Sequence, residues 1–198
     1  MKKILFVTNN LHKFNEINAI LGDKMKVLKL SDIDFYEEIP ETGFTLEENA
    51  SQKSHAIFGR YHIDCFSDDT GLEIDALHGR PGVFSARYAG EGCSFHDNVV
   101  KVLGEMEQEE NRKARFRTVI SLILNEKEYL FDGMVEGEIT HHETGVGGFG
   151  YDPIFRPLGY DKTFAEMDDG EKNAISHRGR AVAKLVDFLS QNIVQTDF

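Results

Sequence analysis

Carboxylate side chains crowd one short segment of the chain, and their chemistry is the first question that the sequence raises. Residues 66–75 read FSDDTGLEID, so four carboxylates fall within eight residues, at Asp68, Asp69, Glu73 and Asp75. They follow a hydrophobic run that should enter a core, and repulsion among carboxylates grows as water is removed. A metal ion, basic side chains from elsewhere in the chain, or exposure to solvent would each make such a cluster tolerable.

The cluster offers oxygen ligands alone, because no His or Cys lies at ligand spacing, so a bound metal would be Mg²⁺ or Mn²⁺. Neighbours on an extended strand point to opposite faces, and Asp68 and Asp69 share one site only if the chain turns. Thr70–Gly71 would supply that turn. Glu41, in the segment IPETG, would supply a second carboxylate. The alternative is a solvated acidic turn.

Two further loops carry groups that suit a nucleotide. The first reads TNNLHK and comprises Thr8, Asn9, Asn10, Leu11, His12 and Lys13. It joins a predicted strand to a predicted helix, where free N–H groups and Lys13 would cradle a phosphate. The alternative is an ordinary helix cap with a solvated lysine. The P-loop pattern GxxxxGK[ST] is absent.

The second loop, residues 144–153, reads TGVGGFGYDP and has four glycines in six positions. Glycine allows a backbone to approach a ligand closely. Phe149, Gly150, Tyr151 and Asp152 would together suit a flat heterocycle, since a ring stacks on the base and a carboxylate accepts from its N–H groups. The alternative is a glycine-rich turn whose aromatic rings are pinned to the core.

Basic residues open the last predicted helix. Arg178 lies three residues after Ile175 and four before Val182, and therefore falls on the apolar, inward stripe. An arginine is seldom buried there without a partner, so it would snorkel, pair with a buried acid or line a cleft. Lys172 and His177 lie nearby. With Lys13 these groups form a predicted convergent basic cluster.

Hydrophobic periodicity places these motifs on a mixture of strands and helices. The predicted strands are 3–8, 25–30, 64–67, 72–76, 114–124 and 129–140, the last two antiparallel across 125–128. The predicted helices are 11–21, 46 to about 61, 94 to about 110, and 171 to about 192. The first is expected to stop at Gly22-Asp23, and the second to begin at a capping box, Thr45–Glu48. The order favours an α/β fold with a mixed sheet.

Composition excludes several function classes. The chain has 198 residues and a formal net charge of −12, which argues against binding a nucleic-acid polymer, because phosphate contacts need a basic surface. A small phosphorylated ligand needs only a few convergent cations. No membrane span and no secretion signal are expected, and the two cysteines predict no disulfide framework. We therefore expect a cytoplasmic protein.

Six motifs in order complete the pattern: TNNLHK at 8–13, ETGxTxxENA at 41–50, DDTGL at 68–72, PGVFSARYAG at 81–90, GGFGYDPIF at 147–155 and EKNAISHR at 171–178. Together they resemble the inosine triphosphatase-like pyrophosphatases, also called non-canonical purine NTP or XTP/dITP diphosphatases. The resemblance covers almost the whole chain.

The resemblance implies a Maf-Ham1-like fold with a mixed sheet in two lobes, helices on its flanks and a substrate cleft between the lobes, in one domain and as a homodimer. It implies Mg²⁺-dependent hydrolysis of ITP, dITP and XTP to the monophosphate and pyrophosphate, with Mn²⁺ as a possible substitute. Asp69 would be the general base and a metal ligand, and Glu41 a second ligand. The implied substrate contacts are Thr8 to Lys13, Lys53, Thr70, Phe149 to Asp152, Lys172, His177 and Arg178.

One residue departs from the family pattern, which usually has Gly where this chain has Asn9. We expect the loop to tolerate it, because Asn adopts left-handed conformations better than most residues. Two alternative functions stay open: a house-cleaning pyrophosphatase for other modified nucleotides, and a non-catalytic nucleotide sensor.

Overall fold

The computed structural model describes residues 3–22 and 25–193. Asp23, which the sequence places at the end of the first helix, lies outside the described residues. The chain forms two compact units. Unit 1 comprises Met1–Asp69, Thr118–Gly133 and Arg178–Phe198, and unit 2 comprises Thr70–Arg117 and Met134–His177.

Helices and strands alternate along the described residues. The helices are α1 (Leu11–Leu21), α2 (Leu46–Tyr61), α3 (Phe95–Glu105), α4 (Asp169–Ile175) and α5 (His177–Ile193). The strands are β1 (Lys3–Val7), β2 (Lys26–Leu28), β3 (Cys65–Ile74), β4 (Pro81–Gly82), β5 (Lys113–Leu124), β6 (Lys127–Ile139) and β7 (Phe155–Pro157).

The strands form a mixed sheet in the order β2-β1-β3-β5-β6-β7, and β4 pairs with β3. Strand β1 is parallel to β2 and β3, whereas the β3–β4 and β6–β7 pairs are antiparallel. Strands β5 and β6 are neighbours joined by Asn125 and Glu126, both of which have positive φ, as a two-residue hairpin turn requires. The predicted mixed α/β fold and its hairpin are confirmed.

The side chains of β1 show how unit 1 is layered. Ile4 and Phe6 pack against apolar residues of α1 and α5, and the Phe6 ring stacks on Phe66 with centroids 4.7 Å apart. Leu5 and Val7 point the other way, into a cluster that includes Ile57 of α2. Both faces of β1 are covered, which explains its continuous hydrophobic run.

Unit 2 has its own core beneath α3. Val99, Val102 and Met106 of this region pack with Phe116 and Phe155. The helix begins at the N-cap Ser94, whose hydroxyl accepts from Asp97 N, and it ends at Glu105 rather than near Glu110. The remaining acidic residues of the predicted helix therefore lie beyond its end.

Strand β3 corrects one prediction. It runs unbroken from Cys65 to Ile74, so the expected turn at Thr70–Gly71 is wrong. A Cβ added to Gly71 would lie 2.7 Å from the carbonyl oxygen of Gly82 on β4. Glycine is needed there because β4 approaches closely, and the sequence pattern does not distinguish that requirement from a turn.

The C-terminal region corrects a second prediction. The predicted single helix from Glu171 is two helices, because Ser176 has an extended backbone, with φ −67° and ψ 158°. Helix α4 begins earlier, at a capping box in which Asp168 accepts from Glu171 N. Helix α5 then starts at His177. No helix within residues 3–22 and 25–193 has the length and apolar content that crossing a membrane requires.

A glycine on β6 should be required by close strand packing. A Cβ on Gly137 would lie 2.4 Å from the Arg156 carbonyl oxygen and 2.6 Å from the Phe155 ring. We expect Gly137→Ala to lower the free energy of unfolding, measured with urea, by about 1–3 kcal/mol.

Gly104→Ala is the matched control, because no atom lies within 4 Å of its added Cβ in helix α3. It should be neutral or stabilising by up to about 1 kcal/mol, since alanine favours helix. Equal losses for the two variants would contradict the packing argument.

Candidate active site

Asp68 is the most deeply buried carboxylate of the predicted cluster. Its side chain is fully buried, and Lys13 Nζ lies 3.1 Å from both of its oxygens. Arg178 Nε donates to Asp68 Oδ2 over 3.5 Å. Burial alone would raise the pKa of Asp68, but Lys13 and Arg178 outweigh it and lower that pKa to about 2. Ion pairs with basic side chains, and not exposure to solvent, therefore stabilise the charge of the buried Asp68 carboxylate.

Asp69 points to the other side of β3. Ser67 Oγ donates to Ala50 O of α2, and Asn49 Nδ2, also on α2, donates to Asp69 Oδ2 over 3.0 Å. Asp68 instead meets residues of α1 and α5, as alternation along a strand requires. Burial raises the pKa of Asp69 and Glu41 adds to the effect, although Lys53 opposes it.

Asn49 connects Asp69 to the segment that carries Glu41. Its Oδ1 accepts from Gly43 N over 2.8 Å while its amide donates to Asp69. A Cβ on Gly43 would lie 2.6 Å from Glu48 Cβ, so the glycine allows this segment to lie against the start of α2. Thr45 N-caps α2 as predicted.

Glu41 forms an ion pair with Lys53, which extends from α2 and is nearly buried. Burial would lower the pKa of Lys53, but Asp69 and Glu41 outweigh it and raise that pKa. Glu41 pairs with Lys53, and Asn49 links Asp69 to Gly43, two residues from Glu41, so two hard oxygen donors belong to one hydrogen-bonded cluster. A Mg²⁺ ion typically takes one or two carboxylates and completes its shell with water and substrate phosphate, and this donor pair fits that requirement.

Arg178 is 1% exposed and lies at the start of α5. Its Nη1 donates to Glu16 Oε2, and its Nε faces Asp68. Of the alternatives for this residue, pairing with a buried acid is the one observed. Within unit 1, the basic residues that converge around Asp68 and Asp69 are Lys13, Lys53 and Arg178.

The loop from Thr8 to Lys13 is organised by Asn10. Asn10 Oδ1 accepts from His12 N and Lys13 N over 2.9 and 3.1 Å, and Asn10 N donates to Thr8 Oγ1. The loop therefore presents the positive end of α1 and the Lys13 side chain. Leu11 and Asn9 are exposed, and Asn9 is not among the described non-glycine residues with positive φ. Its backbone needs no glycine.

Unit 2 holds the remaining predicted site residues. Lys172 Nζ donates to Asp152 Oδ2 over 2.7 Å, and both side chains are about 95% buried. Phe149 N donates to the same oxygen over 2.8 Å, and the Lys172 ammonium lies 4.9 Å from the Phe149 ring centroid. Gly150 has φ 64°. An aromatic ring, an ammonium and a carboxylate thus form one constellation.

The other predicted residues of unit 2 have structural contacts. Tyr151 is buried and donates to Ser85 O over 2.8 Å. His177 is 3% exposed and stacks on Phe116 with centroids 4.6 Å apart. Thr70 is half-buried on β3. Lys172 and His177, which the sequence groups with Lys13, both belong to unit 2.

Two residues that contact the site, Asn49 and Glu16, were not predicted from the sequence. Asn49 lies four residues before Lys53, on the same face of α2, and that spacing was an available signal. Glu16 lies three residues after Lys13 on α1, but its contact with Arg178 joins positions 162 residues apart. No local pattern marks such a contact.

The lowered pKa of Asp68 predicts an acid-dependent loss of stability. A folded-state pKa below the ordinary 3.8 contributes stability that is present above pH 3.8 and disappears as the pH falls toward 2. The shift corresponds to roughly 2 kcal/mol. We expect the difference in unfolding free energy between the protein and Asp68→Asn to shrink by about this amount between pH 5 and 2. Chemical denaturation across that range measures it, and a constant difference would contradict the assignment.

Comparison with known proteins gives a consistent result over nearly the whole chain. A dITP/XTP pyrophosphatase from Flavobacterium johnsoniae is 50% identical over 188 residues, covering 95% of this chain and 98% of that protein. One from Porphyromonas gingivalis is 50% identical over 190 residues, covering 96% and 98%.

Solved structures agree with the sequence relatives. A HAM1 protein from Coxiella burnetii superimposes with a TM-score of 0.88 at 38% identity, covering 96% of this chain and 100% of that one. The Staphylococcus aureus Ham1 protein gives a TM-score of 0.86 at 40% identity, covering 96% and 99%. The family model described as the Ham1 family matches residues 4–188, and the chain therefore belongs to the Ham1 family.

Proposed function

We propose that this protein hydrolyses non-canonical purine nucleoside triphosphates, namely ITP, dITP and XTP, to the monophosphate and pyrophosphate. The observation that carries the proposal is the pair of adjacent, buried carboxylates, Asp68 and Asp69, held among Lys13, Lys53 and Arg178. Relatives named dITP/XTP pyrophosphatase at 50% identity support the same substrate class.

The triphosphate end of the substrate is assigned to unit 1. Lys13 and Lys53 supply ammonium groups, and the start of α1 supplies a favourable dipole. Asn10 already accepts from two backbone N–H groups of the first turn, so the side-chain cations carry most of the phosphate recognition. Thr8 is positioned by its bond from Asn10 N.

The cofactor in this proposal is Mg²⁺, with Mn²⁺ as a substitute, held by Asp69 and Glu41. When bound, the ion would neutralise phosphate charge and polarise a phosphoryl oxygen. Two residues of the chain position these ligands: Asn49 fixes the orientation of Asp69, and Lys53 balances the charge of Glu41.

Asp69 is the proposed general base. Asn49 holds the Asp69 carboxylate in place to accept a proton from water, and in the metal-free protein burial raises the pKa of Asp69. Asp68, whose pKa is lowered, is poorly suited to that role and instead holds Lys13 and Arg178. Asp68 and Asp69 thus differ in proton affinity, and their side chains point to opposite faces of β3.

Within unit 2, three side chains suit a purine base. Phe149 offers a ring for stacking, Lys172 a donor and Asp152 an acceptor. A 6-oxo purine presents an acceptor to a donor such as Lys172, whereas adenine presents an amino group. Lys172 already donates to Asp152, and a further N–H of its ammonium would donate to the 6-oxo oxygen. Adenine offers no acceptor at that position, and losing this hydrogen bond would cost roughly 1–3 kcal/mol, which favours ITP and XTP over ATP. The homodimer and the cytoplasmic location remain predictions from the resemblance and the composition.

The direct test is a pyrophosphate-release assay with ITP, dITP, XTP, GTP, ATP and oxidised and methylated nucleoside triphosphates, with and without Mg²⁺. We expect Mg²⁺-dependent release, with kcat/KM for ITP about 10-fold or more above that for ATP. Preference for an oxidised or methylated nucleotide would favour the house-cleaning alternative. Binding of ITP without release at saturating Mg²⁺ would identify a nucleotide sensor.

Asp69→Asn should separate turnover from binding. The amide keeps the shape of the side chain but cannot accept a proton, so we expect kcat to fall by about 10²-fold or more. Calorimetric titration with ITP in Ca²⁺ should still detect nucleotide binding, because Lys13 and Lys53 are unchanged.

Asp75→Asn is the control for this experiment, since Asp75 is an exposed acid just beyond β3. It should keep full activity. Equal loss of binding and turnover in a folded Asp69→Asn variant would contradict the role assigned to Asp69.

A further inference from the structure

The first turn of α3 contacts Phe149 of the glycine loop and Glu143 just before that loop, and neither of the α3 residues involved was indicated by the sequence pattern. The Phe95 ring lies 6.0 Å from the Phe149 ring, centroid to centroid, at an interplanar angle of 49°. The next residue, His96, places Nδ1 3.2 Å from Glu143 Oε1. Phe95 is the first residue of α3, and the N-cap Ser94 fixes that end of the helix.

Phe149 has few neighbours of its own along the chain that could orient its ring. Gly147 and Gly148 precede it and Gly150 follows it, so adjacent residues offer no side chains. The Lys172 ammonium lies against the ring, and Phe149 N is bound to Asp152 Oδ2. The Phe95 ring, on a capped helix, is an aromatic side chain placed to brace the Phe149 ring.

We propose that Phe95 is a positioning residue for nucleotide binding, which braces Phe149 and extends the aromatic surface on which the purine stacks. This inference rests on the proposed function. Phe95 is 44% exposed, so part of its ring is available to a ligand. Stacking does not depend on the 6-substituent, because every base has a π face. Phe95 should therefore govern affinity for purine nucleotides in general and not the preference for ITP over ATP.

The test is Phe95→Ala in steady-state kinetics. Aromatic pairs contribute enough to predict a rise in KM for ITP of roughly 3- to 10-fold, with kcat changed less than about twofold. KM for GTP should rise by the same factor. Inhibition by inorganic tripolyphosphate, which carries no base, should be unchanged. Phe95→Tyr should restore the original KM, because it keeps the ring.

Two further variants keep the test decisive. Tyr160→Ala removes an exposed aromatic residue of unit 2, 47% exposed, and should leave KM unaltered. Phe95→Leu keeps apolar volume in the first turn of α3 without a ring, and should reproduce the KM increase if the alanine variant does not fold. An unchanged KM, or equal weakening of ITP and tripolyphosphate, would overturn the proposal.

Failure of the proposed function would be distinguishable from failure of this inference. If the unmodified protein released no pyrophosphate from ITP, the hydrolase proposal would fall, while calorimetric binding of inosine 5′-monophosphate would still report on Phe95. Equal affinity of the unmodified protein and Phe95→Ala for that monophosphate would overturn the role of Phe95.

Discussion

The ion pairs of Asp68 are the interaction on which unit 1 depends. One buried carboxylate on β3 binds Lys13 from α1 and Arg178 from α5, so it joins the starts of two helices to the sheet. Removing one member of a buried pair leaves an uncompensated charge, which typically costs 3–5 kcal/mol. The contacts that position these cations for the proposed phosphate site also hold the layers together. Activity lost on substituting them must therefore be separated from lost stability.

Because side chains alternate along a strand, two neighbouring aspartates lie in different environments and their pKa values shift in opposite directions. Asp68 faces α1 and α5, where two cations lower its pKa, and Asp69 faces α2, where burial raises its pKa. No turn is needed to give the two carboxylates different chemistry. The opposite sides of one extended segment already provide different environments.

The helix start at Thr45 is predictable from local sequence, whereas contacts between distant positions are not. The capping box at Thr45 predicts the start of α2 because the bonds that define it lie within three residues. Gly71 was misread because close strand contact and a turn both demand glycine. Helix α4 ends at Ser176, and this end was not predictable because no glycine or proline marks it. The inward position of Arg178 was predictable from helical spacing, but its partner Glu16 was not, because only the folded chain brings them together.

Charge balance explains why a polyanion would not bind to these residues alone. Three cations, Lys13, Lys53 and Arg178, lie among four carboxylates, Asp68, Asp69, Glu41 and Glu16. Taken together these groups carry no positive excess, and the whole chain has a net charge of −12. A triphosphate adds several negative charges, and at short range each repulsion costs several kcal/mol at a partly buried site, about 4 kcal/mol per pair at 4 Å. Additional positive charge must accompany the substrate, and a divalent cation held by Asp69 and Glu41, as proposed, would supply it. The acidic character of the site is thus an argument for metal dependence that does not rest on family resemblance.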